Sequence, residues 1–191
     1  MRTRNFCSLL FLCVLFCSWL QSHGQMDPRL QVLNSHFVGV WAGTNVAYNS
    51  PTVTVPVRIV VTNDSKKGRL RLEYIYGTKG QKSYDHAVRF MVIDPASSRV
   101  TLNWRHNSDE VYKAVGLEEV LNAGYGSFGF FGAVQVNGLK VLYRQMLELT
   151  ADSFYYCWEK TSDGVDYSKT GEWTLTRESG ANTSAGTKPG P

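Results

Sequence analysis

The sequence predicts an all-β protein: a single antiparallel meander β-barrel of eight to ten strands with a short N-terminal helical cap. Two observations lead to this prediction. Beyond residue 37, apolar and polar residues alternate in short runs, which is the period of a half-buried strand. Turn-forming residues separate these runs at short intervals, so consecutive strands are expected to pair as hairpins. Such a sheet removes its exposed edges by closing on itself.

The first predicted hairpin shows this alternation most clearly. Its two runs are joined by the polar turn 63–68. Later turns are predicted at Asp94-Pro95, at Asn137-Gly138, at 150–152 and at 162–164, and Asn-Gly is the strongest two-residue hairpin signal. The apolar positions of the first hairpin are Val53, Val55, Val57, Ile59 and Val61, then Leu70, Leu72, Tyr74 and Tyr76.

Two segments depart from the meander. Residues 26–36 have the leucine spacing of one or two helical turns, which we expect to cap the barrel. Residues 106–127 are harder to interpret: a strand is expected near 111–115 and a helical turn near 117–121.

The first 24 residues have the layout of a secretory signal peptide. Arg2 and Arg4 precede an apolar run from about residue 6 to 20, and the small residues Ser22 and Gly24 follow it. We predict cleavage after Gly24 and a secreted or periplasmic protein with no membrane span. A retained anchor is the alternative, but the apolar run is short for a spanning helix, which needs roughly 20 residues.

The remaining chain is expected to form a barrel domain over residues 25–178 and a disordered tail over 179–191, which has no apolar residue larger than alanine. Loss of residues 1–24 lowers the net charge from +4 to +2 and leaves no basic cluster, so we expect no nucleic-acid partner. It also leaves Cys157 as the single cysteine, which excludes an internal disulfide. We interpret Cys157 as a buried apolar residue.

Both ends of the predicted barrel carry a recognisable pattern. Gly39-Val40-Trp41 falls in the first strand, and the last strand ends at Arg177. In these positions the chain resembles the lipocalin-like (calycin) barrels, especially small secreted bacterial domains with no assigned function. The resemblance covers about residues 30–178. It implies that Arg177 packs over Trp41 and closes one end, so that Gly39, Trp41 and Arg177 are structural. It also implies that the barrel holds a small apolar molecule.

The chain departs from that group in three respects. No disulfide and no C-terminal helix are visible in the sequence. The haem-binding relatives need a histidine late in the chain, and residues 107–191 contain none. We therefore predict no haem and no other cofactor.

Other constellations have ordinary structural explanations. The pattern Gly-x-Gly-x-x-Gly at 124–129 precedes a strand-like run, whereas a dinucleotide site needs a helix there. His36, His86 and His106 have no metal-ligand spacing, so no metal site is predicted. The carboxylate pair Asp109-Glu110 falls in a predicted turn, where we expect solvated charges.

Aromatic residues are abundant on the predicted strands. A barrel of about eight strands either fills its interior with side chains or leaves room for one small ligand, and aromatic residues suit both. If a cavity exists, we expect four residues to line it, because each joins an apolar body to a polar tip. They are Tyr74, Trp104, Tyr143 and Tyr156.

Three functions remain open from the sequence. The first is an exported binding protein for a small, largely apolar ligand, with no catalytic residues. The second is a barrel enzyme, of isomerase or cyclase type, acting on a lipid-like substrate. The third is a solid-core module that interacts through its surface. The enzyme needs titratable side chains inside the barrel, and the strand residues available for this are Glu73, Glu148, Glu159, Arg89 and Arg144.

Overall fold

A computed structural model describes residues 27–48, 51–64, 67–77, 80, 85–104, 109–136, 138–161 and 163–179. The predicted signal peptide with its cleavage after Gly24, His106, and the tail beyond residue 179 lie outside these ranges. No helix in the described ranges is long and apolar enough to cross a membrane.

The described chain forms a closed antiparallel barrel of ten strands in meander order, which confirms the predicted fold class. Each strand pairs with its neighbours in sequence, and β1 closes the barrel against β10. The strands are β1 (Gly39–Ala47), β2 (Val53–Asp64), β3 (Arg69–Tyr76), β4 (Asp85–Asp94), β5 (Arg99–Trp104), β6 (Glu110–Val115), β7 (Gly126–Val136), β8 (Leu139–Leu149), β9 (Ser153–Thr161) and β10 (Ser168–Arg177).

Two helices lie at the same end of the barrel. Helix α1 (Pro28–Phe37) precedes β1, and Asp27 caps it by accepting a hydrogen bond from the Arg29 backbone N–H at 2.9 Å. Helix α2 (Leu117–Ala123) connects β6 to β7. The Arg29 guanidinium joins the two helices through an ion pair with Glu118 and a 3.0 Å hydrogen bond to Asn122. We call this the closed end, and the opposite end the open end.

The segment 106–127 contains the expected strand and helical turn, as β6 and α2. The glycine-rich run at 124–129 leads into β7 and not into a helix. It therefore lacks the helix N-terminus on which a dinucleotide pyrophosphate would rest.

The closed end is packed with aromatic side chains. Trp41 is fully buried and meets Phe154 edge to face at 5.7 Å between ring centroids, and Phe37 of α1 meets the same ring at 5.9 Å. The Trp41 indole donates a hydrogen bond to the Phe37 carbonyl at 2.9 Å. This hydrogen bond ties the cap helix to the first strand.

Arg177 covers Trp41 from the end of β10. Its Cζ lies 4.1 Å from the centroid of the indole, and its three nitrogens donate to the carbonyls of Ala151, Val38 and His36. Gly39 makes room for this guanidinium, because a Cβ there would lie 2.5 Å from Arg177 Nη1. Gly39 also has a φ of +149°, which favours glycine.

Candidate functional site

A cavity of about 320 Å³ occupies the open end of the barrel. This size is near the lower limit of ligand pockets, which span roughly 300–1,000 Å³. Its lining comes from seven of the ten strands, always from the inward-facing positions of the alternation. The lining residues are Asn45, Tyr76, Arg89, Glu110, Tyr112, Tyr143, Gln145, Tyr156, Trp158 and Trp173.

An aromatic layer separates the cavity from the packed closed end. The Tyr156 and Trp173 rings stack with centroids 4.7 Å apart and planes at 20°. Tyr74 reaches Trp173 from β3 at 5.1 Å, and Trp158 lies 5.3 Å from Trp173 on the cavity side. The stacked Tyr156 and Trp173 rings and the tilted Trp158 ring give the cavity an aromatic wall.

Arg89 and Glu110 bring opposite charges to the lining. Arg89 projects inward from β4, and Glu110 is the first residue of β6. The prediction that Glu110 is a solvated turn charge was wrong. The strand begins one residue earlier than expected, and Glu110 then shares the inward face with Tyr112 and Ala114.

Hydrogen bonds fix several polar groups of the lining. The Tyr112 hydroxyl donates to Glu110 Oε2 at 2.9 Å, and the Tyr156 hydroxyl donates to Oε1 of the buried Gln145. Burial raises the pKa of Tyr156 despite the nearby Arg89, and burial together with Glu110 raises the pKa of Tyr112. These phenols therefore stay protonated at neutral pH and act as neutral hydrogen-bond groups.

Two other polar atoms of the lining are buried and unsatisfied. Trp173 Nε1 and Asn45 Oδ1 have no hydrogen-bond partner among the residues that the structure describes. The two residues are directly opposite each other on β10 and β1. A buried polar group without a partner costs about 1–3 kcal/mol, so this pair marks a place where a bound molecule would gain.

Two glycines allow large side chains to lie flat along the wall. A Cβ on Gly171 would overlap the Trp158 indole, and a Cβ on Gly132 would lie 2.6 Å from the Tyr112 ring. Both rings thus rest over a neighbouring strand and leave the centre of the cavity empty.

The four residues predicted to line a cavity have different positions in the structure. Tyr143 and Tyr156 are part of the lining. Tyr74 is buried two residues deeper than Tyr76 on the same face of β3, and burial raises its pKa to about 12. The backbone of Trp104 pairs with Arg89, but its side chain lies outside the described part of the chain.

Of the five strand residues that an enzyme could use, Arg89 lines the cavity. Glu73 and Glu148 share strand faces that point away from the interior, and so do Arg144 and Glu159. Glu73 accepts hydrogen bonds from Arg71 and His86, which lower its pKa. Arg144 is paired with Glu159. These four side chains therefore belong to the outer surface of the barrel and not to the cavity.

Cys157 and His36, isolated residues of types that can react or bind a metal, pack against other residues in the structure. Cys157 is buried. The His36 ring packs against Tyr125 at 3.9 Å between centroids. Within the described ranges, no three His, Cys, Asp or Glu side chains come together as a metal site would require.

The fold is shared with solved structures of low sequence similarity. Rv2717c from M. tuberculosis is similar with a TM-score of 0.53 and 13% identity, over 81% of this chain and 99% of that one. The S-type phycobiliprotein lyase CPES from Guillardia theta is similar with a TM-score of 0.51 and 11% identity, over 83% of this chain and 96% of that one.

A weaker likeness links the chain to a protein of unknown function from the DUF3598 family of Nostoc punctiforme, with a TM-score of 0.48 and 14% identity. That match covers 76% of this chain and spans about half, 49%, of the other. No protein-family description and no curated protein matches the sequence. The class defined by fold and site is therefore a closed antiparallel barrel with a cavity of small-molecule size.

Proposed function

We propose that the protein is an exported, lipocalin-like binding protein that holds one small, largely apolar molecule in the open end of its barrel. The observation that carries this proposal is the cavity of about 320 Å³, whose walls are aromatic and whose few polar groups have fixed positions. Ligand pockets have this composition, because apolar walls supply affinity and isolated polar groups fix orientation. A solid-core module would have no use for such a space.

The stacking of Arg177 on Trp41 supports the lipocalin-like assignment. The pair lies at the end of the barrel that the resemblance implies. Gly39 leaves the space that the Arg177 guanidinium occupies, because it has no Cβ. Export rests on the leader of residues 1–24.

The proposal is tested by native mass spectrometry of the protein purified from its own host. The mass of the polypeptide is expected to match a chain that begins at Gln25. The folded protein is expected to carry a bound small molecule, seen as added mass, which denaturation releases. Protein that retains residues 1–24 would contradict export without touching the binding proposal. A preparation that never carries a small molecule, and binds none from a host extract, would contradict binding.

Two glycine variants show whether the molecule lies in this cavity. In Gly171→Ala, the added methyl pushes the Trp158 indole into the cavity, so the bound mass should disappear. Gly129→Ala is the matched control, because its methyl would lie on the other face of β7, 3.2 Å from the exposed Phe131 ring. The control should retain the molecule. Equal retention by both variants would place the ligand elsewhere.

A barrel enzyme is the second candidate, because Arg89 and Glu110 bring both charges into the same cavity. In addition, one of the structures that shares this fold is a lyase. The enzyme predicts that the recovered molecule is converted on incubation with the protein, and that Glu110→Gln stops conversion while binding persists. Recovery of the molecule unchanged after prolonged incubation would favour the binding protein.

A further inference from the structure

Trp173 Nε1 and Asn45 Oδ1, the two unsatisfied polar atoms described above, indicate which hydrogen-bonding groups a ligand of this cavity would have. Trp173 is 5% exposed, so its Nε1–H is shielded from bulk solvent, and it has no acceptor among the described residues. Asn45 Oδ1 is an acceptor without a donor in the same part of the chain. The two residues are cross-strand partners on one face, where directly opposite Cβ atoms lie about 5 Å apart.

From this pair we infer that the ligand is a flat molecule of one or two fused rings with a neutral donor–acceptor edge. One atom of that edge accepts from Trp173 Nε1, and its neighbour donates to Asn45 Oδ1. A lactam or another amide with an N–H has this chemistry. The inference rests on the proposed function and adds the chemical class of the ligand.

The shape requirement follows from the aromatic layer. Tyr156 and Trp173 are stacked with nearly parallel planes, 20° apart, and both line the cavity, so a flat ring can extend the stack. Flat conjugated molecules stack on such rings with more contact than branched aliphatic ones. The cavity of about 320 Å³ limits the molecule to a size below that of typical drug-like ligands.

The charge requirement follows from the acceptors that surround the pair. A carboxylate offers acceptors alone, so with the Asn45 amide oriented as in the structure it would satisfy Trp173 Nε1 but place a second oxygen against Asn45 Oδ1. Glu110 and Arg89 bring opposite charges to the same lining, so together they do not favour a ligand of either sign. A purely hydrocarbon ligand would leave both buried groups unsatisfied, at a cost that disfavours its binding.

Four probes of similar ring size separate these possibilities by isothermal titration calorimetry on the purified protein. The probe 2-quinolone has adjacent N–H and C=O groups. N-methyl-2-quinolone keeps the acceptor and loses the donor, naphthalene has neither, and 2-naphthoate has acceptors and a negative charge. We expect 2-quinolone to bind tightest and N-methyl-2-quinolone to bind about 10-fold more weakly, as one unsatisfied buried group requires.

Variants assign each hydrogen bond. In Asn45→Leu, the advantage of 2-quinolone over its N-methyl derivative should vanish. In Trp173→Phe, both quinolones should weaken together while naphthalene does not. Asn34→Leu is the matched control: Asn34 Oδ1 is also buried and has no partner among the described residues, but it belongs to α1 at the closed end. It should change none of the four affinities.

The outcomes separate this inference from the proposed function. Equal binding of 2-quinolone and naphthalene would overturn the donor–acceptor edge and leave the binding cavity intact. Tightest binding of 2-naphthoate would also overturn it, since the Asn45 amide would then present its nitrogen. If no probe binds at millimolar concentration, the inference is overturned, and native mass spectrometry of the host protein decides separately whether the cavity binds a molecule. Where Trp173→Phe does not fold, Asn45→Leu decides between the outcomes.

Discussion

Trp41 and Trp173 are both buried inside the barrel, but the two indoles differ in their hydrogen bonding and in what covers their rings. At the closed end, the Trp41 N–H has a carbonyl partner and the ring is covered by Arg177, whose own donors are satisfied by carbonyls. At the open end, the Trp173 N–H has no partner among the described residues, and the ring faces a cavity. One end is built for stability and the other has polar groups available for a ligand.

The closed end should therefore dominate the free energy of unfolding. Trp41→Ala should lower it by about 3–5 kcal/mol, because a fully buried indole is removed and a cavity remains. Trp158→Ala, at the partly exposed open end, should lower it by about 1–2 kcal/mol. Urea denaturation of both variants gives these values. Similar losses would mean that the two ends contribute equally, which contradicts the comparison.

Arg177 tests how the closed end is held. Arg177→Ala removes three hydrogen bonds to carbonyls and the contact with the Trp41 face, so we expect a loss of about 2–3 kcal/mol. Arg177→Lys keeps the charge but not the planar fork, and it should recover less than half of that loss. Denaturation curves for both variants check the prediction. Full recovery by lysine would show that charge, and not geometry, matters here.

The smallest effect is expected on the outer face of the open end, where Glu172 of β10 connects to β9 and to Tyr48, the residue after β1. It accepts hydrogen bonds from Lys169, Tyr48 and Tyr155, which lower its pKa from 4.5 to about 2. A carboxylate whose pKa is lowered in the folded state stabilises the fold above its unfolded pKa, and this contribution is lost as the pH falls from about 4.5 towards 2.

The measurement compares wild type with Glu172→Gln across that range. At pH 7 the wild type should be more stable by about 1 kcal/mol, because the contacts are partly screened by solvent. The difference should shrink below pH 4.5 and vanish near pH 2. A difference that does not change with pH would mean that the charge of Glu172 does not contribute.

The closed end was easier to predict from the sequence than the open end. The alternation defined the strands and their inward faces, and the Gly39–Trp41 and Arg177 patterns marked where the chain meets itself. Stability depends on apolar residues with a regular period, and such a period is visible in one sequence.

The lining of the open end depends on how far along the barrel axis each inward-facing residue lies. The alternation of apolar and polar residues shows which face a residue is on but not this position. Tyr74 and Tyr76 share a strand face, but they lie about 7 Å apart along it, and that distance separates the buried layer from the cavity. Asn45 and Trp173 were missed for the same reason, whereas Glu110 was missed because β6 was expected to begin one residue later. How far along the barrel axis a residue lies depends on strand tilt and stagger around the whole barrel. Glu110 was the residue closest to recognition, because it alternates with Tyr112 and Ala114.

The described chain both enters and leaves the barrel at the closed end. Helix α1 leads into β1 there, and the Glu178 backbone N–H still bonds to the Val40 carbonyl at 2.9 Å after the last strand. A tag, a fusion partner or a sensor surface attached beside Asp27 or Ser179 would consequently leave the mouth of the cavity unobstructed. A protein attached to a surface through its closed end would thus have the mouth of the cavity facing the solution.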